Sequence, residues 1–114
     1  MNTPTHSRNA GQIHRVDKFV VPDSARGEFI EGVRGTHEFL RTLPGFVQDS
    51  VLEKTGGPGE FNFVTIAVWE SAEAIEAARE AVAAWHEESG FSPHETFARL
   101  GIKADLVNYE QIDV

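Results

Sequence analysis

Cysteine is absent from the 114 residues of this chain. That excludes disulfides, thiol nucleophiles, iron–sulfur clusters and thiolate zinc sites together. Basic residues are scarce too: ten Lys and Arg stand against eighteen Asp and Glu, a formal charge of −8. So acidic a chain has no patch waiting for a phosphate backbone or an anionic lipid surface, and neither nucleic acid nor membrane is an expected partner. No apolar run approaches the ~20 residues of a membrane span. The amino end lacks the apolar core of a signal peptide, which makes a cytoplasmic address the expectation. Nucleotide signatures are missing as well. Thr55-Gly56-Gly57-Pro58-Gly59 is followed by neither a helix nor a Lys-Ser/Thr pair, and there is no dinucleotide fingerprint and no Gly-x-Ser-x-Gly elbow. His86-Glu87 opens a zinc-protease pattern, but Gly90 stands where the second histidine belongs, and His94-Glu95 fails likewise at Ala98. No metal and no organic cofactor is expected.

What is present reads as one domain over 12–114 behind a loose polar tail, 1–11, in which His6 is solvated. The informative stretch is Phe61 to Trp69. Phe61, Phe63, Ala67 and Trp69 fall on one face and Val64, Ile66 and Val68 on the other, so both faces are apolar. An antiparallel strand with one wet face alternates apolar and polar. This strand therefore needs cover on two sides, helices on one and a second copy of the chain on the other.

Around it the chain reads strand, helix, strand, strand, helix, short helix, strand. The first strand spans Ile13 to Val21 and stops at Pro22-Asp23-Ser24, read as a helix cap. Arg15, Asp17 and Lys18 sit within it, marking an exposed end or else lining a polar pocket; Arg15 and Asp17 share a parity that also lets them pair with charges on a neighbouring strand. Ser24 to Leu43 is the first helix, with Phe29, Val33 and Leu40 on one stripe. At about 100° per residue His37 lies about 40° from Val33, inside that stripe. The second strand is Phe46 to Lys54, turned back by the glycine-rich loop into the Phe61 strand, as in a hairpin. Ser71 caps the second helix, with Glu73 in its first turn and Ile75, Ala78 and Val82 on its buried stripe. Arg79 and His86 share that side, and Trp85 flanks it. Ser92-Pro93-His94-Glu95 begins a short helix with a capping box. A last strand runs from Ile102 to about Gln111. The order βαββαβ predicts an α+β, ferredoxin-like domain, four antiparallel strands with both helices on one face. Two such sheets closing face to face give a dimeric α/β barrel, so a homodimer through the sheet face is expected.

Leu43-Pro44-Gly45-Phe46, the Val68-Trp69-Glu70-Ser71 junction, the Ala/Glu-rich second helix, Gly90-Phe91-Ser92-Pro93 and Arg99-Leu100-Gly101-Ile102 occur together. Across residues 12–112 the chain resembles the antibiotic biosynthesis monooxygenase family of dimeric α/β-barrel proteins. The resemblance implies a pocket between sheet and helices that oxidises an aromatic phenol or anthrone to a quinone with O2, without metal or flavin. Such chemistry asks the protein to bind the ring, favour its deprotonated form and exclude water. The heme-degrading branch of this fold uses a tryptophan, an asparagine on the first strand and a histidine on the second helix. Trp69 matches the first, Asp17 stands in place of the second, and His86 lies too far past Trp69 for the third.

The candidate residues follow from both arguments. His37 or His86 would accept the phenolic proton, and Arg79 would hold the oxyanion unless it pairs with Glu76 or Glu80 instead. Trp69 would stack on the ring unless it only caps the core, with Phe63 and Asp17 completing the binding wall. Tyr109 is placed at the dimer surface, and His14 and His94 carry no signal. Two rival functions remain open at this point. One is a non-catalytic small-ligand-binding or stress-response barrel with a filled core. The other is different chemistry on the same scaffold, such as heme degradation or an isomerase or cyclase step.

Overall fold

A computed structural model describes residues 11–114. The polar tail, including His6, lies outside the described residues apart from Gly11. The strands are β1 (Ile13–Val20), β2 (Phe46–Glu53), β3 (Phe63–Trp69) and β4 (Lys103–Tyr109). The helices are α1 (Arg26–Leu40), α2 (Ala72–Ser89) and α3 (Pro93–Leu100), with one 3-10 turn, Asp23–Ala25, before α1. The four strands form one antiparallel sheet in the order β2-β3-β1-β4, the ferredoxin-like arrangement expected from the sequence.

Local chemistry explains most boundaries. Ser71 Oγ accepts from the Ala74 N–H at the start of α2, and Ser92 Oγ accepts from the Glu95 N–H at the start of α3. Pro93 occupies the first turn of α3, where its missing N–H costs nothing. Gly90 and Gly101 end the two helices in the left-handed conformation. The first helix departs from expectation. Asp23 and Ser24 make no capping bond; they wind into the 3-10 turn, and α1 proper starts two residues later, at Arg26. Its last turn closes at Leu40, not Leu43. Gly45 connects it to β2 at φ +83°, and a β-carbon there would collide with that of Ala74. Only glycine meets both demands.

The Phe61 strand also begins late. Phe61 and Asn62 fall outside β3, although the Asn62 N–H still donates to the Phe19 carbonyl and its carbonyl accepts from the Lys54 N–H; the Asn62 side chain has a further partner. Its amide accepts from the Val21 N–H and donates to the Val21 carbonyl, both at 2.8 Å. This pins the hairpin loop to the end of β1.

Residues paired across strands share a face. Ile13, Arg15, Asp17 and Phe19 of β1 therefore lie with Phe63, Thr65, Ala67 and Trp69 of β3 on the helix side. A bulge between Phe46 and Gln48 shifts β2 so that Asp49 joins that side, opposite Ala67. Val64, Ile66, Val68, Val16 and Val107 line the other face, with Leu52 and Tyr109 half exposed at its margins. No helix among the described residues covers that face.

The helix-side core comes in two pieces. Phe19, Val21, Ala25, Phe29, Phe63 and Ile102 fill one end, with Phe29 edge-on to Phe19 at 4.9 Å between ring centroids. Ala67, Trp69 and Ala78 fill the other, with Leu40, Leu43, Phe46 and Ile75 around them. Between the two the packing opens.

Candidate active site

The opening is a cavity of about 670 Å³ between the sheet and the helices, with walls drawn from both halves of the core. Its position is set by polar residues at the middle register of four elements. In β3 the inward row Phe63, Thr65, Ala67, Trp69 places Thr65 between the two apolar clusters. In β1 the inward row puts Arg15 and Asp17 there, opposite Ala67 and Thr65. In β2 it is Asp49, and in α1 it is His37, one helical step beyond Val33 and one before Leu40. An apolar side chain at these places would have joined the clusters into one core.

His37 is 6% exposed and borders the cavity. Its Nδ1 lies 2.9 Å from Oδ2 of Asp49. Arg41 approaches the same carboxylate, Nε at 2.9 Å from Oδ2 and Nη2 at 3.3 Å from Oδ1. Burial works to raise the Asp49 pKa, but the hydrogen bonds from Arg41 and His37 outweigh it and hold the carboxyl below its usual range. An ionised carboxylate only accepts hydrogen bonds, so His37 Nδ1 must carry the proton. With Nδ1 committed to Asp49, Nε2 is the nitrogen left to exchange a proton, on a ring fixed in place by Asp49. That arrangement makes a base. Asp49 was not anticipated from the sequence. The available signal was a single charge within Phe46-Val47-Gln48-Asp49-Ser50-Val51-Leu52, but its facing depends on the bulge.

The other candidates fall in three places. Trp69, 2% exposed, both caps the core and borders the cavity, its ring edge-on to Phe46 at 5.5 Å. Phe63 is buried in the apolar end behind Phe29 and is not part of the cavity wall, so its expected place in the binding wall is corrected. Asp17 and Arg15 lie on the cavity floor. They bond each other, Arg15 Nε to Asp17 Oδ1 at 2.6 Å, not charges on a neighbouring strand. Burial pushes the Asp17 carboxyl above its ordinary range, and Arg15 and His37 pull it only part of the way back.

Arg79 and His86 are peripheral. The Arg79 guanidinium hydrogen-bonds Glu76 one turn earlier on α2, and its side chain is 64% exposed at the cavity rim. Solvent screens so open a pair, which leaves little of its charge directed inward. His86 closes a row of rings at the mouth: Phe39 stacks on Trp85 at 4.4 Å, Trp85 on His86, and His86 meets Phe91 at 5.2 Å. Burial lowers the His86 pKa. No three His, Asp or Glu side chains among the described residues are grouped as a metal site. No helix among them is long and apolar enough to cross a membrane.

Comparison with known proteins adds the following. The family model described as antibiotic biosynthesis monooxygenase matches residues 13–91. Among solved structures, SnoaB from Streptomyces nogalater, a cofactor-independent oxygenase, is 28% identical, with a TM-score of 0.66 over 92% of this chain and 97% of that one. The heme-degrader MhuD from Mycobacterium tuberculosis, with two hemes bound in its active site, is 24% identical, with a TM-score of 0.65 over 90% and 98%. A protein from Shewanella loihica PV-4 is 15% identical, with a TM-score of 0.69 over 91% and 97%. The last two share the fold. Among curated protein sequences none matches.

Proposed function

The chain belongs to the antibiotic biosynthesis monooxygenase family, and from that premise we propose that it oxidises a small phenol-like aromatic with O2, without a cofactor, in the cavity under His37. The observation that carries the proposal is the Asp49–His37 pair beside an open, largely apolar hollow. A binding module with a filled core has no use for such a hollow, and 670 Å³ is the size of a small-molecule site. The 28% identity to a cofactor-independent oxygenase supports the same reading.

Each residue has a separate task. The ring enters between Trp69 and the α1 stripe, where apolar walls displace its water. His37 Nε2 takes the proton of the ring hydroxyl, and the imidazolium so formed is held by Asp49. The phenolate passes one electron to O2, and the resulting radical and superoxide join at the ring carbon para to the oxygen. The hydroperoxide then loses water, giving the quinone carbonyl. One O2 is consumed, one oxygen atom enters the product and one leaves as water. The substrate supplies all four electrons, so no external reductant is needed. The exposed Arg79 and the His86 ring row act at the entrance.

Heme does not fit this arrangement. The one histidine of α2, His86, comes twelve residues after Ala74, which packs beside Trp69. That places it about 18 Å further along the helix at ~1.5 Å per residue. β1 presents the Arg15–Asp17 ion pair where that branch has a neutral amide. No step is assigned to heme.

The proposal extends to the assembly. The sheet face away from the helices carries half-buried Val64 and Ile66 beside the buried Val68, and a second copy placed there would complete the homodimer. The domain proper is residues 12–114, and its proposed ligand is a small aromatic.

The direct test is stoichiometry. Metal- and flavin-stripped protein, given a hydroxynaphthalene or anthrone, is expected to consume one O2 per quinone formed with no added reductant. Quinone formation that requires an added flavin, metal or reductant would overturn the reading.

A further inference from the structure

The Arg15–Asp17 pair has no part in the proton transfer above, and it does no tertiary work either. Arg26 bonds Glu53 and so ties α1 to β2; Arg99 bonds Glu28 and ties α3 to α1. Arg15 and Asp17 are two residues apart on the same strand, so their 2.6 Å bond joins no two elements. Keeping Asp17 out of water nevertheless costs stability. A pair that is costly and holds nothing together calls for another use.

Its geometry offers one. Among the described residues Arg15 makes a single hydrogen bond, from Nε. The guanidinium has five donors in a rigid plane. With Nε engaged, the Nη1–Nη2 edge is left, the edge that can meet a carboxylate with two parallel bonds. Both side chains border the cavity at 31% and 23% exposure. The register sets the distance to the base: Asp49, Ala67 and Arg15 occupy one row across β2, β3 and β1. Two inter-strand steps of ~4.8 Å put the backbone of Arg15 about 10 Å from that of Asp49, the residue that orients His37. That separation is of the order spanned by a two-ring aromatic carrying a polar group at each end.

We propose that Arg15 forms an anion subsite, so that the substrate is a two-ring hydroxyaryl carboxylate with its hydroxyl at His37 and its carboxylate at Arg15. Asp17 tempers the subsite, because it shares the guanidinium and repels the incoming anion. The proposal rests on the aromatic-pocket reading, and binding alone tests it, whether or not turnover occurs.

The experiment is calorimetric titration with 6-hydroxy-2-naphthoate and with its neutral counterpart 2-naphthol. The native protein is expected to prefer the carboxylate by about tenfold or more, the worth of hydrogen bonds to a charged group. Arg15→Gln abolishes that preference while leaving 2-naphthol affinity in place. Arg15→Lys, which keeps the charge but not the fork, falls between. Asp17→Asn moves the preference the opposite way, toward tighter carboxylate binding. A pair with a merely structural role would shift both ligands alike in every variant. Equal affinities in the native protein, or an unchanged preference in Arg15→Gln, would overturn the subsite. Failure of both compounds to bind would overturn the aromatic pocket and the subsite with it.

Discussion

Replacing His37 by alanine is expected to lower kcat/KM by about 10²–10⁴, the range a positioned general base contributes. The loss should fall on kcat, because the ring is held by Trp69 and the apolar walls, which the substitution does not touch. The fold should survive it. Asp49 keeps both of its bonds from Arg41, so no buried carboxylate is stranded. His37→Gln is a useful companion, since it restores bulk without a base of suitable pKa and should be equally slow. Asp49→Asn should cost less than either, because the imidazole remains but its tautomer and orientation are no longer enforced. Steady-state kinetics with circular dichroism as a folding control separates these outcomes. Full activity in His37→Ala would remove the base from the mechanism.

The second large effect concerns stability. Phe19→Ala is expected to destabilise the domain by about 3–5 kcal/mol, out of a total of about 5–15 for a domain of this kind. Phe19 meets Phe29 at 4.9 Å and Phe97 at 5.8 Å, both edge-on, so one ring holds β1 to α1 and α3 together. It is buried at the apolar end of the core and also borders the cavity, so truncation removes these ring contacts and enlarges the hollow. Val82→Ala, on the cavity wall, should cost only about 1 kcal/mol, since the methyl groups removed already face a hollow. Urea denaturation of the two variants measures the contrast. Similar losses at both positions would mean that the hollow is filled and the core continuous.

These two predictions draw on different amounts of sequence information. The architecture was legible because its strongest signal, apolar residues on both faces of the strand ending at Trp69, does not depend on any partner. Ser71, Ser92 and Pro93 acted locally as well, and their helices begin where such residues place them. Where a boundary moved, the cause was not in the residue pattern. The Asn62 side chain, at the moved edge of β3, is engaged by Val21, forty-one residues away, and a local 3-10 turn took the place of the Asp23-Ser24 cap.

The site was legible only in part, for the same reason. His37 stood out because a titratable group on an apolar stripe needs an explanation, and helical spacing is enough to see it. Its partner could not be seen that way, because Asp49 reaches it only through the bulge in β2. Arg79 lay on the right side of α2, but its neighbour Glu76 captured it at the surface. Phe63 had the right parity for the wall yet was covered by Phe29. Position along a strand decides its face; depth depends on what lies above it.

The account stands on His37 deprotonating a phenol held in the cavity, and absorbance shows this without any turnover. A hydroxynaphthalene bound under anaerobic conditions, at a pH where it is neutral in water, is expected to show its phenolate band with the native protein and to lose it with His37→Ala. A bound ligand that keeps its neutral spectrum in the native protein would contradict the account.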